Sequence, residues 1–348
     1  MKITTRVAAT ALTGVVALAL TACGADGSAG NDTAGGDGNG QTSAGSTMRL
    51  ALNQTEEHPS YVALANFGER LSEATEGRWQ IDVFPNETLG AQQEALQLVS
   101  DGTVDLAIVS GTQLENLNSD FLVFNLPQVF DSVEHQMGVI HDQEIVGDLY
   151  TSLEDGSSIT VLGGFTQGAR SIYTNFGPVQ TPADLAGKKL RVQESDLHIA
   201  MAEAMGASAT PMAFGELYTG LQAGVVDAAE NNEVSFFTQK HFEVAPYWSS
   251  TNHLVGLDYL VINSDLASSM SPEDRAVFDA EWTATHEEHT ELWTTATEDA
   301  ITQAEAGGAT FTEVDEAAFR EVLAPLADQF IENEVQRALY DAARTAAE

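Results

Sequence analysis

The chain has 348 residues, with 52 Asp and Glu against 14 Lys and Arg and a formal charge of −38. That balance excludes nucleic acid or an anionic membrane face as partner, and any anion site must act by short-range contacts rather than long-range attraction. One cysteine excludes a disulfide framework, a cysteine-held zinc and an iron–sulfur cluster, while the length and 43% hydrophobic content suit two lobes with substantial cores.

Residues 1–22 read as an export signal. A short basic opening ends at Arg6, a largely apolar run of Ala, Val and Leu spans 7–20, and Thr21 and Ala22 precede Cys23. The run is too short for a comfortable transmembrane helix. The pattern resembles a bacterial lipoprotein signal, cleaved before Cys23, whose sulfur then carries a diacylglyceryl chain. The alternative is an ordinary secretory signal with an incidental cysteine. Residues 23–47 hold no large apolar side chain and cannot fold. They read as a flexible tether reaching about 25–30 Å. The expected location is extracytoplasmic, on the outer face of a membrane, held there only by the lipid.

Residues 48–53 read as a first strand. Pro59 opens a helix whose apolar positions Tyr61, Leu64, Phe67 and Leu71 keep helical spacing up to Gly77. Residues 79–84 alternate as a second strand, 91–100 form a helix, and 104–109 a third strand. Strand and helix in alternation with short loops predict an α/β lobe with a mostly parallel sheet. Ligands gather beyond the carboxyl ends of such strands, which picks out the loops at 53–59, 90–93 and 110–113. One helix is expected over 132–153 and a buried strand over 159–163.

A second lobe is expected from Thr166, with strands at 171–174, 189–193 and 225–229 and helices at 198–205 and 215–223. A strand at 257–263 returns to the first lobe. Residues 272–305 lack Gly and any second Pro, which predicts one helix of roughly 50 Å that could bridge the lobes. The expected division is 48–165 with 257–296, and 166–256 with 297–348.

Enzyme motifs are missing: no phosphate loop, no dinucleotide fingerprint and no nucleophile elbow. His286 and His289 sit at i and i+3 among Glu287, Glu288 and Glu291. They read as a solvated charged face, with a metal site as the competing reading. Arg170 and Arg191 are the stronger signal, because each lies among apolar residues in a chain poor in cations. A guanidinium stays charged when desolvated and matches a carboxylate bidentately. Each residue here also has a plain structural reading: an ion pair for either arginine, core packing for Phe214, helix capping for Asn231 and Asn232.

Several stretches, in this order, resemble the solute-binding proteins of TRAP transporters, the DctP-like family. They are Phe84-Pro-Asn-Glu-Thr-Leu-Gly90, Gly102-Thr-Val-Asp105, Asn125-Leu-Pro127, Thr181-Pro-Ala-Asp-Leu-Ala-Gly187 continuing to Val192, Pro211-Met-Ala-Phe-Gly-Glu-Leu-Tyr218, Gly224-Val-Val-Asp227 with Glu230-Asn231, and Lys240-His-Phe-Glu-Val244. The resemblance implies a two-lobed periplasmic-binding-protein fold closing on an organic acid. It implies Arg191 as the main carboxylate partner, Asn231 orienting the same group, Phe214 packing on the ligand's carbons and Arg170 as a second basic contact. Gln92, Ser110 and His58 match variable pocket positions that set specificity. Asn232 stands where many members have Pro, a variant resembling binders of sugar acids such as uronates and aldonates. Neutral groups at 58, 92, 110 and 232 agree, since buried hydroxyls need hydrogen-bond partners. C4-dicarboxylates, 2-oxo acids and a sensor role are the alternatives. The implied partners are the small and large TRAP membrane subunits, with no cofactor and no catalysed reaction.

Overall fold

The computed structural model describes residues 45–346. The expected signal peptide, Cys23 and the tether up to 44 lie outside the described residues. The first strand begins at Ser46, so the last residues assigned to the tether are already paired.

Among the described residues, nine strands form one mixed sheet: β1 (Ser46–Ala51), β2 (Trp79–Phe84), β3 (Leu106–Ser110), β4 (Ile159–Thr174), β5 (Lys189–Val192), β6 (Ser208–Pro211), β7 (Ala228–Asn231), β8 (Tyr247–Asn263) and β9 (Thr310–Glu313). The order is β2-β1-β3-β8-β4-β7-β5-β6, with β9 beside β8. β1 pairs parallel with β2 and β3, and β5 with β6 and β7. These are the two βα halves expected from strand–helix alternation. Between them β4 and β8 run antiparallel along most of their length. One end of this ribbon joins β3 and the other joins β7, so the two lobes share a pair of strands.

The sequence reading divides each of these long strands: only 159–163 and 171–174 of β4, and 257–263 of β8, read as strand. The glycines misled it. Gly163 and Gly168 look like chain breaks, yet both sit within β4 at positive φ, +131° and +59°. They mark register shifts rather than ends. A Cβ at Gly168 would lie 2.6 Å from Trp293 Nε1. The single helix expected over 132–153 is also divided. His141 ends Val133–Ile140, and the Asp142 side chain caps a new helix, Gln143–Thr151, by accepting from the Glu144 amide at 2.9 Å.

The long helix forms as one piece, Pro272–Ala306, started by Ser271 accepting from the Asp274 amide. Its first half packs on the helix Pro59–Ala74 through Phe67 against Phe278 and through Arg70, which reaches Glu281 and Glu288. Its second half meets Val234 through Trp293 and Ala300. It therefore braces both halves of the sheet. The C-terminal helix Glu334–Thr345, expected with the second lobe, docks on the first: Arg344 pairs with Asp131 at 2.9 Å, and the His135 ring bonds the Ala343 carbonyl.

His286 and His289 do not lie on a solvated face. The His289 ring is fully buried, stacked on Phe165 with centroids 4.0 Å apart and bonded to Ser60 Oγ. His286 stacks on His141 at 3.6 Å. Desolvation lowers the pKa of both from the usual imidazole value. Trp282 and Trp293, on the same helix, extend this buried stripe, which the surrounding glutamates conceal in the sequence.

Candidate functional site

A narrow cavity lies where the two halves of the sheet face each other. The space open to the centre of a water molecule is only about 40 Å³. The cleft is closed. Thr112 Oγ1 donates to Gln193 Oε1 at 2.8 Å, and Asn116 Nδ2 donates to the Glu194 carbonyl at 3.2 Å, both from the β3 side to the segment after β5.

One wall comes from β4, β5, β7 and the turn after β6. Arg191, on β5, is 2% exposed. Its Nε and Nη2 donate to the Met212 carbonyl at 2.9 and 2.7 Å. Among the described residues no carboxylate oxygen lies within 4.0 Å of this guanidinium, and Nη1 has no acceptor. Desolvation lowers its pKa, with Glu230 offsetting only part. A buried cation with a spare donor facing a cavity is a built receptor for an anion. Phe214 follows from the turn, with its ring centroid 5.9 Å from the Arg191 guanidinium carbon.

Arg170, on β4, is equally buried but fully engaged. Its Nε and Nη2 donate to the Glu230 carboxylate at 2.6 and 2.8 Å, and Nη1 donates to Asn231 Oδ1 at 2.9 Å. Burial opposes its charge, and the Glu230 carboxylate more than restores it, so its pKa is raised. Glu230 itself stays ionised, well below its usual range, because Arg170, His198 and His253 outweigh its desolvation. Asn231 Oδ1 also accepts from the Asn232 amide and side chain. That saturates its oxygen and leaves Nδ2 to the cavity it lines.

The facing wall comes from the carboxyl ends of β1 and β3, the turn after β2, and β8. Gln92 and Ser110 meet here: the Ser110 amide donates to Gln92 Oε1. Asn53, Gln54 and Gln113 stand beside them. These residues come from the three loops that the strand-end rule selects. Asn53 Oδ1, Gln54 Oε1 and Gln167 Nε2 are buried without hydrogen-bond partners among the described residues.

Six of the eight expected ligand residues therefore line one cavity: Arg170, Arg191, Phe214, Asn231, Gln92 and Ser110. His58 and Asn232 do not. His58 Nδ1 accepts from the Ser60 amide at 3.2 Å, capping the helix Pro59–Ala74, and its ring packs on Trp293. Asn232 Oδ1 accepts from the Ser235 amide at 2.7 Å, capping the helix Glu233–Thr238. Both are spent on helix starts behind the walls. Three acids of the walls, Glu87, Glu194 and Asp258, escaped the sequence reading. A lone Asp in the apolar run Leu257-Asp-Tyr-Leu-Val-Ile262 was the available signal for the third. Among the described residues, no group of three or more His, Cys, Asp or Glu is placed to hold a metal ion.

A two-lobed α/β fold closed over a cavity with an unpaired buried cation defines a solute-binding protein. The sequence model of bacterial extracellular solute-binding proteins, family 7 (DctP), matches residues 50–334, and the chain belongs to that family. A solute-binding protein of Chromohalobacter salexigens is 35% identical over 79% of this chain and 82% of its own. A TRAP periplasmic solute-binding protein of Anaerococcus prevotii, solved with bound α/β-D-glucuronate, superposes with a TM-score of 0.84 at 34% identity, covering 86% of this chain and 97% of its own. One from a Sulfitobacter species, solved with bound β-D-galacturonate, gives 0.81 at 32% identity, covering 86% and 100%.

Proposed function

We propose that this protein captures a sugar acid of the uronate or aldonate type between its lobes and delivers it to the membrane subunits of a TRAP transporter. The observation that carries this reading is the contrast within one cavity. Arg191 holds a spare charged donor, while Asn53, Gln54, Gln92, Ser110, Gln113 and Gln167 offer neutral amides and a hydroxyl, and Glu87, Glu194 and Asp258 offer acceptors. A carboxylate satisfies the first, and ring hydroxyls satisfy the second. Uronates bound in the Anaerococcus and Sulfitobacter proteins support the same class.

In this reading Arg191 and Asn231 Nδ2 take the ligand carboxylate, Phe214 packs on its carbons, and Gln92 and Ser110 take hydroxyls. Arg170 acts at one remove, holding Glu230 and Asn231 in place. His58 and Asn232 shape the walls from behind. The lobes divide at 165/166 and 256/257, close to the register shift that separates Thr166 from Ala169. The ligand contacts both lobes only when they are closed and so stabilises the closed form. That form is what the permease reads, and no reaction is catalysed here. A lipid on Cys23 tethers the protein outside the cytoplasm.

A thermal-shift screen tests this directly. D-glucuronate, D-galacturonate or an aldonate is expected to raise Tm by linkage, while succinate and malate leave it in place. A shift with the C4-dicarboxylates alone would overturn the ligand class.

A further inference from the structure

Asp258 lies in the middle of β8, paired by register with Ser110 of β3 and Phe165 of β4. Directly opposite residues share a face of a sheet, so Asp258 and Ser110 both turn toward the cavity, and both line it. Two residues back on the same face is Gly256. A Cβ there would meet the Arg170 and Gln167 side chains at 3.0 Å, so the glycine leaves room for both beside Asp258.

The Asp258 carboxyl is nearly sealed, at 6% exposure, yet no described residue donates a hydrogen bond to it and none forms an ion pair with it. Arg170 is its nearest source of positive charge, but Glu230 and Asn231 already occupy that guanidinium. Burial pushes the carboxyl up to about 7, with Arg170 pulling the other way. A buried polar group without a partner in its own chain is usually satisfied by something else. The other charged groups facing this cavity are Arg170 on β4, Arg191 on β5, Glu87 from the turn after β2 and Glu194 after β5. Burial also raises Glu87 above its usual range, with the Gly215 amide partly offsetting the effect.

A structural role would give Asp258 a partner in the fold. Among the described residues nothing donates to its oxygens, and the cavity it lines is where a bound molecule could. A carboxylate facing a ligand accepts from hydroxyls and repels a second carboxylate. We propose that Asp258 is the specificity-determining residue of the acid-free end of the ligand: it accepts a sugar hydroxyl and turns away acids that carry a carboxylate at both ends. The inference deepens the sugar-acid reading and rests on it.

The test compares ligands that share a carbon chain. Calorimetry at pH 8 measures D-glucuronate against D-glucarate, and D-galacturonate against galactarate, on wild type and Asp258→Asn. Each aldarate is its uronate with C1 oxidised to a second carboxylate, which also opens the ring, so the reading is taken from the change in the ratio between wild type and variant, where the ring effect cancels. Wild type is expected to prefer the tighter uronate to its aldarate. In Asp258→Asn that ratio is expected to fall by about tenfold or more, because the repelling charge is gone. A thermal melt confirms that the variant folds.

A second measurement varies the pH on the same two proteins. Between pH 8 and 5.5 the aldarate is expected to gain on the uronate as Asp258 takes up its proton, and this gain is expected to vanish in Asp258→Asn, which separates it from titration of Glu87. A ratio within threefold of wild type in the variant, or a pH effect that survives the substitution, overturns the role of Asp258. If wild type binds neither these four acids nor D-gluconate, the sugar-acid reading itself fails.

Discussion

The two walls of the cavity treat charge in opposite ways. On the β4–β5–β7 side, a carboxylate is buried to hold a cation: Glu230 grips Arg170 at 2.6 Å and stays ionised. On the β3–β8 side, a carboxyl is buried with no cation in contact, and burial lifts Asp258 to about 7. On the first wall Arg170 and Glu230 form a contact pair, while Arg191 has no carboxylate in contact and feels Glu194, after β5, only at longer range. The comparison teaches that burial alone does not identify a ligand group. What distinguishes Arg191 and Asp258 from Arg170 and Glu230 is that their own chain leaves them unsatisfied.

The largest expected effect separates the two arginines. Arg191→Ala is expected to weaken binding of the sugar acid by about 3–5 kcal/mol, since the ligand carboxylate then enters without its partner. The unliganded protein should lose little stability, because the substitution removes a desolvated, unpaired cation. Arg170→Ala and Glu230→Gln should behave in reverse. Each strands the other half of a buried ion pair and is expected to cost about 3–5 kcal/mol of folding stability. Urea unfolding without ligand, beside calorimetry with it, reads both. Equal losses of unliganded stability at 170 and 191 would erase the distinction.

The carboxyls give the next effect, and its sign differs between the walls. The folded pKa of Glu230 lies well below 4.5, so its stabilisation is present above 4.5 and is lost as pH falls toward the folded value. The folded pKa of Asp258, about 7, lies above the reference value of 3.8. Between those values the folded chain holds a proton the unfolded chain has released, so stability falls as pH rises, by up to about 1.4 kcal/mol per unit. Asp258→Asn is expected to flatten that decline between pH 4 and 7, measured as the difference from wild type in chemical unfolding. A curve parallel to wild type would mean that Asp258 is not desolvated as its position indicates.

Much of this was legible in the chain. The parallel βα halves, the 35-residue helix and the three strand-end loops follow from periodicity, from glycine stops and from the absence of breakers in 272–305. Arg191 stood out because a chain this poor in cations places few among apolar neighbours. The hidden parts share a physical cause, which is that they depend on pairing across distant segments. Only the register of β4 against β8 shows that Gly163 and Gly168 continue a strand. Only the approach of β4 to β7 shows that Arg170 is held by Glu230, and only the fold turns Asp258 inward. His289 misled for the same reason: Glu287, Glu288 and Glu291 beside it suggest solvent, while Phe165 and Ser60 arrive from elsewhere.

The smallest expected effect concerns Asn232, which separates residues that touch the ligand from residues that hold the walls. Its Oδ1 caps the helix Glu233–Thr238, and its Nδ2 reaches Asn231 Oδ1 at 3.1 Å and Gln167 Oε1 at 3.4 Å. Loss of such a cap costs about 1 kcal/mol. Asn232→Ala should therefore lower unfolding stability by that amount and weaken ligand binding only through a looser Asn231. Asn232→Asp keeps the cap, because an Asp oxygen also accepts from the Ser235 amide, but it buries a carboxylate at a 1% exposed position, so stability should stay below wild type. It also replaces the Nδ2 donor with an acceptor facing Asn231 Oδ1, so binding should stay weakened. A variant whose binding fell at least tenfold with its stability unchanged would instead place Asn232 at the ligand. That result would return it to the role its position beside Asn231 first suggests.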